Sequence, residues 1–339
     1  MSGCEPVKLP LVVTMGDPAG IGGEIALKAW LERRGGVPPF YLIDDPDRLR
    51  ALARRLGWPA PVRPIDAPDQ ALAVFNEAFP VLPIGAAVRS QPGRPDPGDA
   101  AAILGAISTA VGDVRSGRAA ALVTNPIHKD NLYRAGFRHP GHTEYLAELA
   151  GTGETPVMML VCPELRFVPV TSHMPLRRAV EGLSAAAIAH AGRVTDAALH
   201  RDFGVAAPVL AVAGLNPHAG EGGSLGREEI EIIEPALAEL RAAGLDARGP
   251  LPPDTMFHGE ARRTYDAALC MYHDQALIPI KTIDFYGGVN VTLGLPFVRT
   301  SPDHGTAFAI AGRGIARPDS LIAALRLAAD IAARRLAAG

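Results

Sequence analysis

The sequence has few cysteines and lacks any long apolar run. Its three cysteines, Cys4, Cys162 and Cys270, are too far apart for a cysteine-based metal motif and suggest no disulfide framework. Because scattered cysteines are typical of a reducing compartment, we expect a cytoplasmic protein. The N-terminus lacks the charged segment and long apolar core of a signal peptide, and no stretch is apolar for long enough to cross a bilayer. We therefore expect no association with a membrane.

An excess of charge of either sign is also missing. The formal net charge is -3 for 339 residues, and no basic stripe accumulates along the chain. Nucleic-acid binding usually depends on such a stripe, so we expect no nucleic-acid partner. The chain is 48% hydrophobic, and its length fits two domains better than one.

Short apolar runs alternate with longer amphipathic segments. The runs that we predict as buried strands are residues 11–15, 40–43, 121–124, 157–161, 209–213 and 267–271. The segments predicted as helices are residues 20–33, 100–114, 184–201, 227–243 and 318–338. This alternation is typical of the α/β class, in which helices cover both faces of a parallel sheet. Ligands in such sheets bind beyond the C-terminal ends of the strands.

A glycine-rich loop, MGDPAGIGGE at residues 15–24, follows the first predicted strand and opens a helix. Such a loop can hold a phosphate at the helix N-terminus. However, Gly20 and Gly22 are followed by Ile25 where the dinucleotide fingerprint has its last glycine. The alternative is a tight strand-to-helix turn in which Asp17 caps the helix.

Three histidines each follow a predicted strand: His173 in VTSHMP, His218 in GLNPHAGEGG and His273 in MYHDQ. Three neutral imidazoles would hold a divalent metal and leave a coordination position for substrate. The alternative is three separate loop histidines that make ordinary hydrogen bonds, because no local spacing joins them. Asp274, next to His273, is a candidate to orient its imidazole.

Residues suited to bind an anion are dispersed in the same way. A lysine, an arginine, an amide and a hydroxyl near a helix start would together receive a carboxylate or a phosphate. The candidates are His142, Thr143, Lys281, Asn290 and Arg299. The alternative for Lys281 and Arg299 is a solvated surface charge. Asp254, after GPLPP, is either a catalytic carboxylate or a helix cap.

Several motifs occur in the order found in one enzyme family. They are MGDPAGIGGE, TNPIHKDNLYRAG, PGHTEYLAEL, LNPHAGEGGSLGREE, GPLPPDTMF, MYHDQALIPIK and GVNVTLGLPFVRTSPDHGTAFAIAG. From about residue 10 to about residue 330 they resemble the 4-hydroxythreonine-4-phosphate dehydrogenase family. The resemblance implies two α/β/α domains with a cleft between them, like those of isocitrate and isopropylmalate dehydrogenases. We therefore expect one domain from residues 1–127 plus about 291–339, and a second from about 128–290 that carries metal and dimer contacts.

The same resemblance implies the ligands and the assembly. It implies a divalent metal (zinc, magnesium or cobalt) held by His173, His218 and His273. It implies that the substrate contacts His142, Thr143, Lys281, Asn290 and Arg299. It also implies a homodimer with a shared active site, in which one subunit supplies His173 and His218 and the other supplies His273. Lys281 and Asp254 are the residues that we expect to take part in proton transfer.

A second resemblance concerns the cofactor. DHGTAFAIAGRGIARP, residues 303–318, resembles the adenosine-binding loop of the isopropylmalate and isocitrate dehydrogenases. It implies that NAD or NADP lies against His304, Gly305, Thr306 and Ala307. Ala309 departs from that resemblance, because those loops usually carry aspartate there.

The reaction that the resemblance implies is NAD(P)-dependent oxidation of 4-phosphooxy-L-threonine in pyridoxine 5'-phosphate (vitamin B6) biosynthesis. The product, a 3-keto acid, would lose CO2 to give 3-amino-2-oxopropyl phosphate. The sequence leaves two alternatives open. One is a related dehydrogenase of threonate or erythronate phosphate or of a dihydrodiol carboxylate, and the other is a non-redox, phosphoacyltransferase-like protein.

Overall fold

The structure is a computed structural model that describes residues 9–139 and 141–338, so Cys4 lies outside the described residues. The chain divides into two compact units. Unit 1 runs to Thr155 and resumes at Leu295, and unit 2 spans Pro156–Gly294. The chain therefore leaves unit 1 once and returns to it.

The first boundary between the units differs from the one expected after residue 127, because it falls after Thr155. Residues 128–155 belong to unit 1 because their apolar side chains are part of its core. Leu132 and Leu146 are fully buried there, in one cluster with Ile103 and Leu122.

Unit 1 contains a six-stranded sheet in which every neighbouring pair is parallel. Numbered along the whole chain, its strands are β1 (Leu11–Thr14), β2 (Phe40–Asp44), β3 (Val62–Pro64), β4 (Phe79–Pro83), β5 (Leu122–Thr124) and β12 (Arg299–Pro302). Their order is β3-β4-β2-β1-β5-β12. Its helices are α1 (Gly22–Leu31), α2 (Pro46–Leu56), α3 (Gln70–Val74), α4 (Ala100–Arg115), α5 (Lys129–Arg134), α6 (His142–Ala150) and α12 (Asp319–Ala338).

The central strands of unit 1 form where the sequence is apolar on both faces. All residues of β1, β2 and β5 are buried, as expected for strands that helices cover on both sides. The carboxylate of Asp45 caps α2 by accepting the backbone N–H groups of Asp47 and Arg48, and Gly57 ends that helix in the left-handed conformation.

Unit 2 also contains six strands. They are β6 (Val157–Cys162), β7 (Leu165–Pro169), β8 (Val209–Ala213), β9 (Asp246–Leu251), β10 (Ala267–Cys270) and β11 (Val289–Leu293), in the order β11-β6-β7-β10-β8-β9. The helices are α7 (Leu176–Gly182), α8 (Ala185–Arg201), α9 (Glu234–Ala242), α10 (Pro253–Met256) and α11 (His273–Ile283). A π-helical turn, Glu229–Ile233, leads into α9.

The sheet of unit 2 is mixed, so the prediction of purely parallel sheets is wrong there. β6 pairs in antiparallel fashion with both β7 and β11. The reason is local, since only two residues separate β6 from β7, and so short a link joins antiparallel strands only. The strands β7, β10 and β8 are neighbours and run parallel. Within the described part of the chain, no helix is long and apolar enough to cross a membrane.

Candidate active site

The three predicted metal histidines follow three neighbouring strands of unit 2. His173 comes after β7, His273 begins α11 directly after β10, and His218 comes after β8. Because these strands are parallel and adjacent, their C-terminal ends lie at one edge of the sheet. The topology therefore places all three loops at the same edge.

His173 and His273 line one pocket, which we call the histidine pocket. It has a volume of about 400 Å³ and is lined by residues 171–176, Ala179 and residues 272–274. The ring centroids of His173 and His273 are 5.8 Å apart. The two loops are joined by the hydroxyl of Thr171, which donates to the carbonyl of Met271 at 2.8 Å. The structure thus brings together two of the three predicted metal ligands.

Two features of these histidines suit metal binding. Nδ1 of His273 lies 2.7 Å from Oδ1 of Asp274, so the adjacent carboxylate does orient the ring. An imidazole held in this way through Nδ1 presents Nε2 to a ligand. His173 adopts a left-handed backbone conformation with φ of 54°, which is unusual outside glycine and typical of residues held by a functional constraint.

His218 lies in a turn of its own, directly after β8. Its backbone is also left-handed, with φ of 53°. Over residues 9–139 and 141–338, no group of three His, Cys, Asp or Glu side chains is close enough to hold a metal ion. Among the described residues, His173 and His273 line the histidine pocket, and His218 is not part of its lining.

The two predicted catalytic residues also lie in unit 2. Asp254 is exposed on α10, which packs against the segment Pro217–Gly223 that carries His218. The helix-cap alternative for Asp254 is wrong, because Pro252 occupies the N-cap and Asp254 lies inside the first turn. Lys281 is partly buried on α11, and its Nζ lies 5.4 Å from the centre of the Phe285 ring.

The predicted anion ligands of unit 1 form a cluster with one further lysine. We call Lys129, His142 and Arg299 the donor cluster. Arg299 is only 3% exposed, and its guanidinium donates to the hydroxyl of Thr124, the last residue of β5, at 2.6 Å. Lys129 also lies close to Gly141, the residue before His142. A Cβ added to Gly141 would be 3.2 Å from Nζ of Lys129.

The electrostatics of the donor cluster favour an anion. Burial lowers the pKa of Arg299 to about 10. Burial also lowers the pKa of His142 well below 6.5, and the positive charges of Arg299 and Lys129 lower it further. Nε2 of His142 is buried and has no hydrogen-bond partner among the described residues. A bound anion would relieve this mutual repulsion and supply the missing partner.

The remaining predicted substrate residues are placed as follows. Thr143 is the second residue of α6, whose first turn receives no side-chain cap from the described residues and so offers backbone N–H groups to an anion. Asn290 lies on β11 of unit 2, where its Oδ1 is buried with no hydrogen-bond partner among the described residues.

The glycine-rich loop contacts the predicted nucleotide loop, residues 303–318, and two of its N–H groups are hydrogen-bonded within the chain. The N–H of Gly20 donates to the carbonyl of Asp17 at 2.9 Å, and the N–H of Ile21 donates to the carbonyl of Thr306 at 3.0 Å. These groups are therefore not available to a pyrophosphate. The two loops approach so closely that position 20 requires glycine, since a Cβ there would lie 2.9 Å from the carbonyl oxygen of Thr306.

Asp17 does not cap the first helix, contrary to the alternative that the sequence offered. Ile21 occupies the N-cap of α1, and Asp17 accepts the N–H of Ala19 within the loop. Burial raises the pKa of Asp17. Its other oxygen accepts from Nδ2 of Asn131 at 3.2 Å, which ties the loop to α5.

Helix α1 fixes the far end of the nucleotide loop. The buried carboxylate of Glu24 accepts the N–H groups of Gly312 and Ala316, at 2.8 and 3.3 Å. Nζ of Lys28 donates to the carbonyl of Gly314 at 2.8 Å. In the near half of the loop, Nδ1 of His304 lies 3.0 Å from the Gly305 carbonyl, and Ala307 is left-handed with φ of 47°.

Sequence reasoning missed Lys129. It stands at the start of α5 in the motif TNPIHKDNLYRAG, with four residues between it and the end of the strand β5, and ligand contacts in a parallel sheet are expected beyond such strand ends. That position was the available signal, although no property of the residue itself separates it from a surface lysine.

Comparison with known proteins places this architecture in one family. The family described as "Pyridoxal phosphate biosynthetic protein PdxA" matches residues 37–328. A 4-hydroxythreonine-4-phosphate dehydrogenase of Methylorubrum populi is 57% identical over 332 residues, which cover 96% of this chain and 95% of the relative.

Solved structures agree with this relationship. A 4-hydroxythreonine-4-phosphate dehydrogenase from Klebsiella pneumoniae has a TM-score of 0.85 at 39% identity, covering 96% of this chain and 99% of that one. A terephthalate 1,2-cis-dihydrodiol dehydrogenase from Burkholderia xenovorans has a TM-score of 0.62 at 29% identity, covering 95% and 98% of the two chains. The match covers most of the chain at high identity, and the chain belongs to the PdxA family of pyridoxal phosphate biosynthetic proteins.

Proposed function

We propose that this protein is a metal-dependent dehydrogenase that uses NAD or NADP to oxidise 4-phosphooxy-L-threonine. The 3-keto acid that results loses CO2 to give 3-amino-2-oxopropyl phosphate, a step of pyridoxine 5'-phosphate synthesis. The observation that supports a phosphorylated substrate is the donor cluster, in which the side chains of Lys129 and His142 lie close to the buried arginine Arg299. We place the protein in the cytoplasm, where its free cysteines Cys162 and Cys270 would stay reduced.

The phosphate is the group that suits the donor cluster best. A phosphate monoester carries between one and two negative charges at neutral pH and offers several acceptor oxygens. The guanidinium fork of Arg299 and the ammonium of Lys129 would neutralise that charge, and Nε2 of His142 and the hydroxyl of Thr143 would orient it. Lys281 and Asn290, in unit 2, complete the set of residues that we propose to bind substrate.

The chemistry of the histidines suits a divalent metal at His173, His218 and His273. Imidazole nitrogens favour a transition metal such as zinc or cobalt over magnesium, which prefers oxygen ligands. The contact of Asp274 with Nδ1 of His273 supports this proposal, since metal-binding histidines usually make such a contact through their other nitrogen.

Other residues of the chain would carry out proton transfer and contact the cofactor. When bound, the metal would lower the pKa of the substrate hydroxyl, and the nicotinamide would accept hydride. Lys281 and Asp254 are the groups that we propose for proton transfer, because both are titratable and lie in the same unit as the metal histidines. His304, Gly305, Thr306 and Ala307 would contact the adenosine half of the cofactor, on a loop that Glu24 and Lys28 hold in place.

A homodimer with a shared site would bring together the three proposed metal ligands, which the described residues of one chain do not assemble into one group. Support comes from large apolar side chains that are exposed just before and at the start of α7, within α11 and just after its end, close in sequence to His173 and His273. They are Met174, Leu176, Ile278, Phe285 and Tyr286, with exposed fractions of 47 to 66%. Exposed apolar side chains of this size commonly mark an interface between subunits.

The test is a substrate panel followed by NADH or NADPH absorbance, with and without chelator. We expect turnover of 4-phosphooxy-L-threonine that stops when the metal is removed. Similar catalytic efficiency on unphosphorylated 4-hydroxythreonine would overturn the assignment of the donor cluster to phosphate. A preference for threonate or erythronate phosphate, or for a dihydrodiol carboxylate, would favour one of the related dehydrogenases, and no nucleotide reduction on any substrate would favour the non-redox alternative.

A further inference from the structure

The segment that carries His218 has an unusual backbone. Residues 218–222 are five consecutive residues in the left-handed region, with φ between 45° and 79°. Left-handed conformations normally occur as single residues, because the Cβ of an L-residue then approaches the following carbonyl. Glycines at 220 and 222 adopt this region freely, but His218, Ala219 and Glu221 do not. Surrounding groups must therefore hold the turn.

A buried carboxylate is placed to hold it. Glu229 is 2% exposed and begins the π-helical turn before α9, and such turns are frequent at functional sites. Its Oε1 accepts the backbone N–H groups of Leu215 and Asn216, at 2.8 and 2.7 Å. Its Oε2 accepts from Nδ2 of Asn216 at 2.9 Å. Both oxygens thus bind the chain just before His218.

The same carboxylate also lies against the middle of the turn. A Cβ on Gly220 would lie 2.5 Å from Oε2 of Glu229, so the backbone of Gly220 packs directly on the carboxylate. Glu229 therefore touches the turn on both sides of His218 in sequence. Since three N–H donors already occupy its oxygens, the carboxylate orients the turn and is a poor candidate for a metal ligand itself.

We propose that Glu229 is a positioning residue whose buried carboxylate holds the left-handed turn so that His218 presents its imidazole to the divalent metal. The inference rests on the proposed function, because it takes His218 to be a metal ligand. Glu228, the preceding residue, provides a matched comparison. It accepts from the same Nδ2 of Asn216 at 2.7 Å but is only partly buried, and the backbone N–H groups of Leu215 and Asn216 donate to Glu229 instead.

The test measures Co²⁺ binding to chelator-treated protein by titration, with the visible spectrum of the bound Co²⁺ and the melting temperature recorded for each variant. Glu229→Gln keeps the size of the side chain but places an amide donor against N–H donors. We expect its Co²⁺ affinity to fall by about 10- to 100-fold with a changed spectrum, as for other groups that orient a metal ligand. Glu228→Gln should keep the affinity and spectrum of the unmodified protein.

Gly220→Ala changes the other partner of the contact between Gly220 and Glu229, and it provides the test if Glu229→Gln does not fold. Its added methyl pushes on Oε2 of Glu229 and should also weaken Co²⁺ binding. Unchanged affinity and spectrum in folded Glu229→Gln, or in Gly220→Ala, would overturn the inference even if the melting temperature drops. His218→Ala distinguishes a failure of the metal assignment from a failure of the inference about Glu229. If this variant binds Co²⁺ as the unmodified protein does, His218 is not a metal ligand, and the inference about Glu229 fails as well.

Discussion

The donor cluster of unit 1 and the histidine pocket of unit 2 are assembled to different degrees. In the donor cluster, Arg299 is buried and reaches Thr124, and its positive charge acts on His142 within one chain. In the histidine pocket, the side chain of His273 is 34% exposed, and His173 is the other predicted metal ligand that lines the pocket. Burial in a core therefore preorganises the donor cluster within one chain, whereas the described residues of one chain bring together His173 and His273 but no group of three metal-binding side chains.

The largest effect should come from removing the separate histidine. His218→Ala should lose the bound metal and lower kcat on the order of 100-fold or more, because a metal ligand is lost, while the fold is kept. Metal content by elemental analysis and NADH absorbance measure both outcomes. His258→Ala, which changes an exposed histidine of the same unit, is the control. Full activity in excess chelator would contradict the prediction.

Co-expressed pairs of inactive variants would show which histidines come from different subunits. If one subunit supplies His173 and His218 and the other His273, the pairs His173→Ala with His273→Ala and His218→Ala with His273→Ala should both regain about a quarter of full activity, since half of the dimers are hybrids with one complete site of two.

Because the rings of His173 and His273 are in contact, a different assignment of the three histidines to the two subunits should also be tested. If those two histidines act together and His218 comes from the partner, the pair His173→Ala with His218→Ala should recover activity, and the pair His173→Ala with His273→Ala should not. A fully active monomer by light scattering would contradict both arrangements.

Breaking the donor cluster should affect the phosphorylated substrate selectively. Arg299→Gln removes a charge-assisted hydrogen bond of roughly 1.5–3 kcal/mol, so kcat/KM should fall by about 10- to 100-fold or more. The unphosphorylated analogue should lose much less. Lys129→Met should act in the same direction, and Arg138→Gln, at an exposed arginine of unit 1, should have no effect. Equal losses for both substrates would count against a phosphate site.

A smaller effect is expected at the nucleotide loop. A Cβ on Gly305 would meet nothing within 4 Å, so Gly305→Leu should fold normally and obstruct only a bound nucleotide. The KM for NAD or NADP should rise by roughly 10-fold, with little change in the KM for substrate. Gly35→Leu, at another open position, is the control. A larger change in the substrate KM would return attention to the glycine-rich loop.

The smallest effect concerns the pH dependence of stability. The pKa of His142 is lower in the folded protein than its usual 6.5, so the unfolded chain binds the proton more readily. Stability is therefore highest above pH 6.5 and falls as the pH drops from about 6.5 towards the folded pKa. His142→Gln should flatten this fall, by on the order of 2 °C in Tm, and added phosphate should flatten it in the unmodified protein. Parallel curves for the two proteins would contradict the prediction.

The sequence predicted those parts of the fold that carry an apolar pattern. The strands β1, β2, β5, β6, β8 and β10 lie where apolar runs occur, because burial on both faces requires such runs. It missed short and polar strands such as β3, which reads VRP, and β9, which reads DARGPL. Both are edge strands, where half of the backbone faces no neighbouring strand and polar residues are common.

By itself, the sequence determined the family, the apolar strands and the residue types available for chemistry, including the three histidines that follow strands. Only the tertiary structure decided which of them meet. Thr171 bonds Met271 across 100 positions of sequence because β7 and β10 are neighbours, and this pairing brings His173 to His273. Burial likewise separates Arg299 from an ordinary surface arginine. Proximity and desolvation depend on strand order and core packing, which no local stretch of sequence contains.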